Sequence, residues 1–203
     1  MQNKPNNRVR PIPTPEKLAA IALHYLAKYA ASEASLRRVL QNRLYRATLQ
    51  HPDFADDRER QAELETAIEA IIEKHRRLGS LNDALYAETK VRSLRRAGRS
   101  ARLISQKLVG HGIDKSLIKG AIETVDEDQS PDAAEFAAAT ALARKRKLGP
   151  FRTTDITDAM ARRKIEQKEV GTLARAGFSM HVIRRVLGGA TLDPDESYGD
   201  DWD

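Results

Sequence analysis

Apolar residues recur at the three- and four-residue spacing of a helix face along most of this chain, and no stretch alternates as a half-buried strand would. Leu18, Ile21, Ala22, Tyr25, Leu26 and Tyr29 form the first stripe. A second, short helix starts at Ser32, whose hydroxyl can cap free amides, and buries Leu36, Val39 and Leu40. Residues 43–60 interrupt the pattern and read as irregular. The stripe returns with Leu64, Ala67, Ile68, Ile71, Ile72 and His75, and ends near Leu78 and Gly79. Further helices are predicted over 82–96, 100–109 and 114–125, the last with Leu117, Ile118, Ala121, Ile122 and Val125 on one face. Beyond a polar linker, 133–148 reads as an alanine-rich helix stopped by Gly149 and Pro150, 155–176 as a long charged helix, and 179–187 as a short helix stopped by Gly188 and Gly189.

A repeat lies within this pattern. Leu26, Leu94 and Leu173 are each followed six residues later by a serine (Ser32, Ser100, Ser179), then by Leu36, Ile104 and Ile183, and then by Leu40, Leu108 and Leu187. The sense is a helix end, a turn, a serine cap and a second helix that buries two positions one turn apart. Gly98 and Gly177 stand in the turn, where a positive φ is often needed, and Ala30 and Ala31 replace them in the first copy. A two-helix corner buries little surface by itself, so each copy needs a third helix or a neighbour. The helix at 114–125 serves the second copy and the one at 60–78 the first, whereas no helix follows the third. The fold class is therefore all-α, and the repeat points to a curved row of two or three small helical modules. Its parts are a flexible arm at 1–15, a first module at 16–79 with an irregular insertion at 43–60, a second at 80–126, a linker at 127–132, a third at 133–189 and an acidic tail at 190–203.

Composition narrows the chemistry. With 5% aromatic residues, the core must be built from Leu, Ile, Val and Ala. The formal charge is +6, but residues 193–203 hold six acids and no base, so the body carries +12 and favours an acidic partner surface. Cysteine is absent, as expected of a reducing compartment, and His24, His51, His75, His111 and His181 lack ligand spacing, so neither metal nor cofactor is expected. No apolar run is long enough to span a membrane, the start lacks a signal-peptide core, and a cytoplasmic location is expected. No nucleophile and base share a motif, no phosphate loop is present, and no enzyme activity is expected.

The candidate partner-binding residues are bases on the short helices: Arg37, Arg38 and Arg43 in the first copy, Arg99, Arg102 and Lys107 in the second, and Arg184 and Arg185 in the third. Arg144 and Lys145 belong to the densest basic run. If the copies present these bases together, phosphates or carboxylates are the matching groups. Asp155, Asp158, Glu166 and Glu169 read as salt-bridging helix surface.

Three segments together resemble the RecX family of regulatory proteins: YLAKYAASEASLRRVL at 25–40, the stretch from Leu78 to Ile122, and LARAGFSMHVIRRVL at 173–187. Within the second, the family has a glycine, an aromatic, a leucine, two aspartates and a Phe-Ala pair; Gly79, Ser80, Leu81, Asn82, Asp83 and the pair Tyr86 and Ala87 stand there, and Gly112, Ile113 and Asp114 meet a later element in part. Gly177, Phe178 and Ser179 match the third, with Ala176 where the family has an arginine. Residues 43–60 and the acidic tail depart from the family pattern. The resemblance implies tandem three-helix modules forming an elongated, curved helical array. It also implies a monomer that binds within the helical groove of the RecA recombinase filament on single-stranded DNA and inhibits strand exchange, ATP turnover and coprotease activity. The basic surface is suited to contact the DNA backbone as well. A non-specific nucleic-acid-binding helical protein is the alternative.

Overall fold

The computed structural model describes residues 9–154 and 157–188; Asp155 and the acidic tail at 190–203 lie outside them. Among the described residues there are ten α-helices, one short 3-10 turn and no strand, as the periodicity requires. The chain divides into two compact units. One takes in the chain through Ala87 together with Leu108–Leu117, and the other Glu88–Lys107 together with the chain from Ile118 onward.

In the first unit, α1 (Pro15–Lys28) begins at Thr14, whose hydroxyl accepts from the Lys17 amide, with proline in the first turn where its missing N–H costs nothing. Next, α2 (Glu33–Gln50) is capped by Ser32 and runs far past its predicted end. The expected irregular stretch at 43–60 is helical over most of its length: Leu36, Leu40, Leu44 and Ala47 continue one buried stripe, and the charged positions between them face out. His51 ends α2 and opens the single-turn α3 (Pro52–Asp56), which serves to bury Phe54. Asp57 caps α4 (Arg58–Arg77), which packs on both α1 and α2 and supplies the third helix expected of the first copy. Leu18, Leu36, Leu40, Ile68 and Leu81 are almost wholly enclosed in this core, each contributing about 1.5–3 kcal/mol by burial.

The described end of the predicted flexible arm is held in place. Gln50 accepts from the Arg10 amide at 3.1 Å, His51 Nε2 donates to the Arg10 carbonyl at 2.7 Å, and Ile12 packs on the core. Prolines at 11 and 13 suit an extended segment, and α2 provides the polar partners that it lacks within itself.

Three helices then follow: α5 (Asp83–Arg96), α6 (Ala101–Gly110) and α7 (Lys115–Val125). Each passes from one unit into the other along its own length.

In the second unit, α8 (Pro131–Arg146) starts two residues before its predicted position because Ser130 caps it and proline fits the first turn. Its end is closed by Lys147 in the left-handed conformation at φ 57°. After a 3-10 turn at Gly149–Phe151, α9 (Ala159–Arg175) begins later than the predicted 155, because Asp158 accepts from the Ala161 amide at 2.7 Å and so fixes the first turn. Last comes α10 (Met180–Leu187), ended by Gly188 as expected. The third corner does have a third helix, which precedes it in sequence: Ala138, Ala139, Leu142 and Ala143 of α8 pack with Leu173 of α9 and Val182, Ile183 and Val186 of α10.

Candidate partner-binding surface

The three aligned serines are all helix caps. Ser32 accepts from Ser35 N at 3.1 Å, Ser100 from Leu103 N at 3.1 Å and Ser179 from Val182 N at 3.4 Å. Leu36, Ile104 and Ile183 are fully buried behind them. Gly98 and Gly177 have φ of 71° and 91°, so the glycine turns of copies two and three are left-handed as expected. In both, the amide three places beyond the last helical residue reaches back to a leucine carbonyl, from Arg99 to Leu94 and from Phe178 to Leu173. The first copy differs, since α1 leaves its axis at an extended Tyr29, and neither Ala30 nor Ala31 has positive φ.

Two caps do more than start a helix. Buried Ser32 also donates to the His111 carbonyl at 2.7 Å, and a Cβ on Gly112 would lie 2.3 Å from that of Ala34. Buried Ser100 receives the other glycine turn: its amide donates to the Ala176 carbonyl at 3.2 Å, and a Cβ on Gly177 would lie 2.2 Å from Ser100 Oγ. Ser179 is exposed.

The two arginine pairs divide their labour. Arg37 grips Glu69 of α4 through two bonds of 2.7 and 2.8 Å; the Glu69 hydrogen bond holds its guanidinium above the usual range, and the same contact holds Glu69 below the usual carboxylate value. Arg185 pairs with Asp132 at 2.8 Å and lies over the Phe136 ring at 4.1 Å. Their neighbours are exposed and in no ion pair among the described residues: Arg38 makes one long bond of 3.3 Å to the Gly110 carbonyl at the end of α6, and Arg184 faces solvent. Arg102, Lys107 and Lys145 are exposed as well, Arg99 is half-buried, and Arg144 is exposed but lies over the Phe151 ring at 5.2 Å.

Arg43 is not an exposed helix-surface base. It is half-buried in the first unit, and its Nε is enclosed without a hydrogen-bond partner. Burial, and then the charges of Arg10 and Arg46, hold its guanidinium below the ordinary value. Arg10, Lys17 and Arg46 line the same pocket as Arg43. Sequence reasoning missed this group because Arg10 lay in the supposed mobile arm and Arg46 in the supposed irregular stretch. The three-residue spacing of Arg43 and Arg46 was the available signal.

The acids have structural work. Arg95 sits between Asp126, at 2.5 Å, and Glu135, at 2.7 Å, with about a tenth of its side chain exposed. Burial opposes its charge, but the two hydrogen-bonded carboxylates outweigh that and raise its pKa. Glu169 is not surface but 5% exposed, and Arg152 holds it through bonds of 2.7 and 3.1 Å. Among the described residues no group of three or more His, Asp or Glu side chains is placed to hold a metal ion, and no helix is long and apolar enough to cross a membrane.

The fold and surface define an all-α protein assembled from serine-capped helical corners, with exposed bases flanking arginines that tie the helices together. Residues 82–122 match the family model for the second three-helix domain of RecX. The chain is 37% identical over 174 residues to the regulatory protein RecX of Myxococcus xanthus, covering 86% of each chain. It is 31% identical over 121 residues to the RecX of Agrobacterium fabrum, covering 60% of this chain and 59% of that one. The crystal structure of RecX from Lactobacillus salivarius has a similar fold, with a TM-score of 0.55 at 22% identity over 85% of this chain and 94% of that one. This chain belongs to the RecX family of regulatory proteins.

Proposed function

We propose that this chain is a non-enzymatic regulator that binds the RecA recombinase filament on single-stranded DNA and lowers strand exchange, ATP turnover and coprotease activity. The observation that carries this reading is 37% identity to a regulatory protein RecX over 174 residues, 86% of each chain. The basic balance of the sequence supports it, since a filament on DNA offers acidic surface at regular intervals and several weak basic contacts gain from being linked in one chain. The protein acts as a monomer in the cytoplasm, and its contact with DNA is to the backbone.

The test is to add increasing amounts of this protein to its cognate recombinase on single-stranded DNA and to follow strand exchange and ATP turnover. Both fall with increasing ratio if the reading is right, and neither changes at any ratio if it is wrong. The same basic balance favours a second reading, a general nucleic-acid-binding protein. That reading requires strong, salt-dependent DNA affinity to which the recombinase makes no difference.

A further inference from the structure

The pocket of about 420 Å³ in the first unit brings four bases together, Arg10, Lys17, Arg43 and Arg46, with no carboxylate among its lining residues. Three separate elements deliver them. Arg43 and Arg46 lie three apart on α2, Lys17 comes from the first turn of α1, and Arg10 is presented by the segment that Gln50 and His51 hold against the end of α2. Gathering like charges costs free energy that the fold does not recover by pairing, since none of these four side chains is in an ion pair among the described residues. Three of the four other half-buried arginines are treated differently: Arg37, Arg95 and Arg152 each meet a carboxylate. Among the described residues Arg43 is the one base with an enclosed nitrogen left without an acceptor, its Nε, and enclosing a donor unpaired is unfavourable unless something external accepts from it.

We infer that this pocket is a binding site for a phosphate group, taking the phosphate oxygens on the three guanidinium groups and the Lys17 ammonium. A phosphate offers several acceptor oxygens to guanidinium forks approaching from different sides, whereas a lone carboxylate offers two in one plane. Apolar Ile21 and Val39 line the same pocket, which lowers the local dielectric and strengthens the charge contacts, and Asn42 adds an amide donor. The pocket is larger than a phosphate needs, so it also has room for the sugar or next residue attached to a phosphate ester. Two sources share this chemistry, the phosphodiester of a polynucleotide and a free nucleotide or inorganic phosphate. The site stands apart from recombinase binding and is assayed without recombinase, so either reading can fail alone.

The experiment uses the full chain and measures fluorescence anisotropy of a short labelled oligothymidylate at low salt, with ATP, pyrophosphate and inorganic phosphate as competitors. The variant is the pair Arg43→Gln with Arg46→Gln, and the control is Arg76→Gln with Arg77→Gln, which removes the same charge from exposed positions on α4 beside Glu73. The pocket pair should weaken binding about tenfold or more and flatten the dependence of log affinity on log salt by about one to two, while the control pair changes affinity by about twofold or less. Lys17→Gln, on the exposed face of α1, should weaken binding in the same sense without touching the core, and circular dichroism of every variant reports folding. Competition by the small phosphates identifies a free phosphate as the occupant, and competition by polynucleotide alone identifies the phosphodiester. Equal losses in the pocket and control pairs would show a diffuse basic surface and overturn the site. So would the absence of binding to any of these phosphate sources.

Discussion

Gly79 and Gly177 share a left-handed backbone, at φ of 70° and 91°, but not their surroundings. Nothing lies within 4 Å of a Cβ built on Gly79, whereas one on Gly177 would meet Ser100 Oγ at 2.2 Å and Leu103 Cβ at 3.0 Å. Gly79→Ala should therefore cost about 1 kcal/mol, the backbone penalty alone, and Gly177→Ala about 3 kcal/mol or more, with urea unfolding separating the two. His75 makes a second prediction at this scale. Its ring is buried on α4, Nδ1 lies 2.8 Å from Ser80 Oγ, and burial, followed by the charge of Lys74, holds its pKa below 6.5. The unfolded chain then takes up the proton first as pH falls. The stability due to neutral His75 is complete above about pH 6.5 and is lost as pH drops from there toward the folded pKa. The urea midpoint should fall between about pH 7.5 and pH 5.5, and His75→Leu should remove part of that fall. An equal fall in wild type and variant would assign it to other groups.

At the scale of elements, the helices were legible where apolar stripes and caps agreed. The stripes of α1 and α4 and the three serine caps read true, apart from Tyr29, which lies exposed just past the end of α1, because both depend on a few residues at fixed spacing. Residues 43–60 did not, because Leu44 and Ala47 continue the α2 stripe among so many charged neighbours that the face shows only when Leu36 and Leu40 are counted with them. The start of α9 was missed for a related reason, since Asp158 was one of several acids and only the chain path singles it out as the cap. Ion pairs were less legible than either. Arg95 lies 31 residues from Asp126 and 40 from Glu135, distances over which sequence pattern carries no pairing information. Its replacement by methionine leaves two carboxylates without their buried partner and should cost about 3–5 kcal/mol, whereas Arg185→Met, whose partner Asp132 is exposed, should cost about 1 kcal/mol or less. Thermal unfolding of the two variants tests the contrast, and similar small losses would deny the Arg95 cluster its structural role.

For the whole molecule, partner binding is best probed with bases whose loss leaves each unit intact. Arg37 and Arg185 do not qualify, since a carboxylate at either position would face Glu69 or Asp132. Arg38 and Arg184 do, and reversing both to glutamate should weaken association with the recombinase filament about tenfold with unchanged helicity. Co-sedimentation with the filament measures this, and unchanged association would remove both side chains from the proposed surface. The hydroxyl of Ser32 also bears on how the molecule is made. Its acceptor is the carbonyl of a residue 79 positions further along, so the α2 start stays incomplete while most of the second corner is still being synthesised. A nascent chain that has already released α1 through α4 from the ribosome must hold that seat open until His111 and Gly112 emerge. The earliest helices to be translated are thus among the later ones to be sealed.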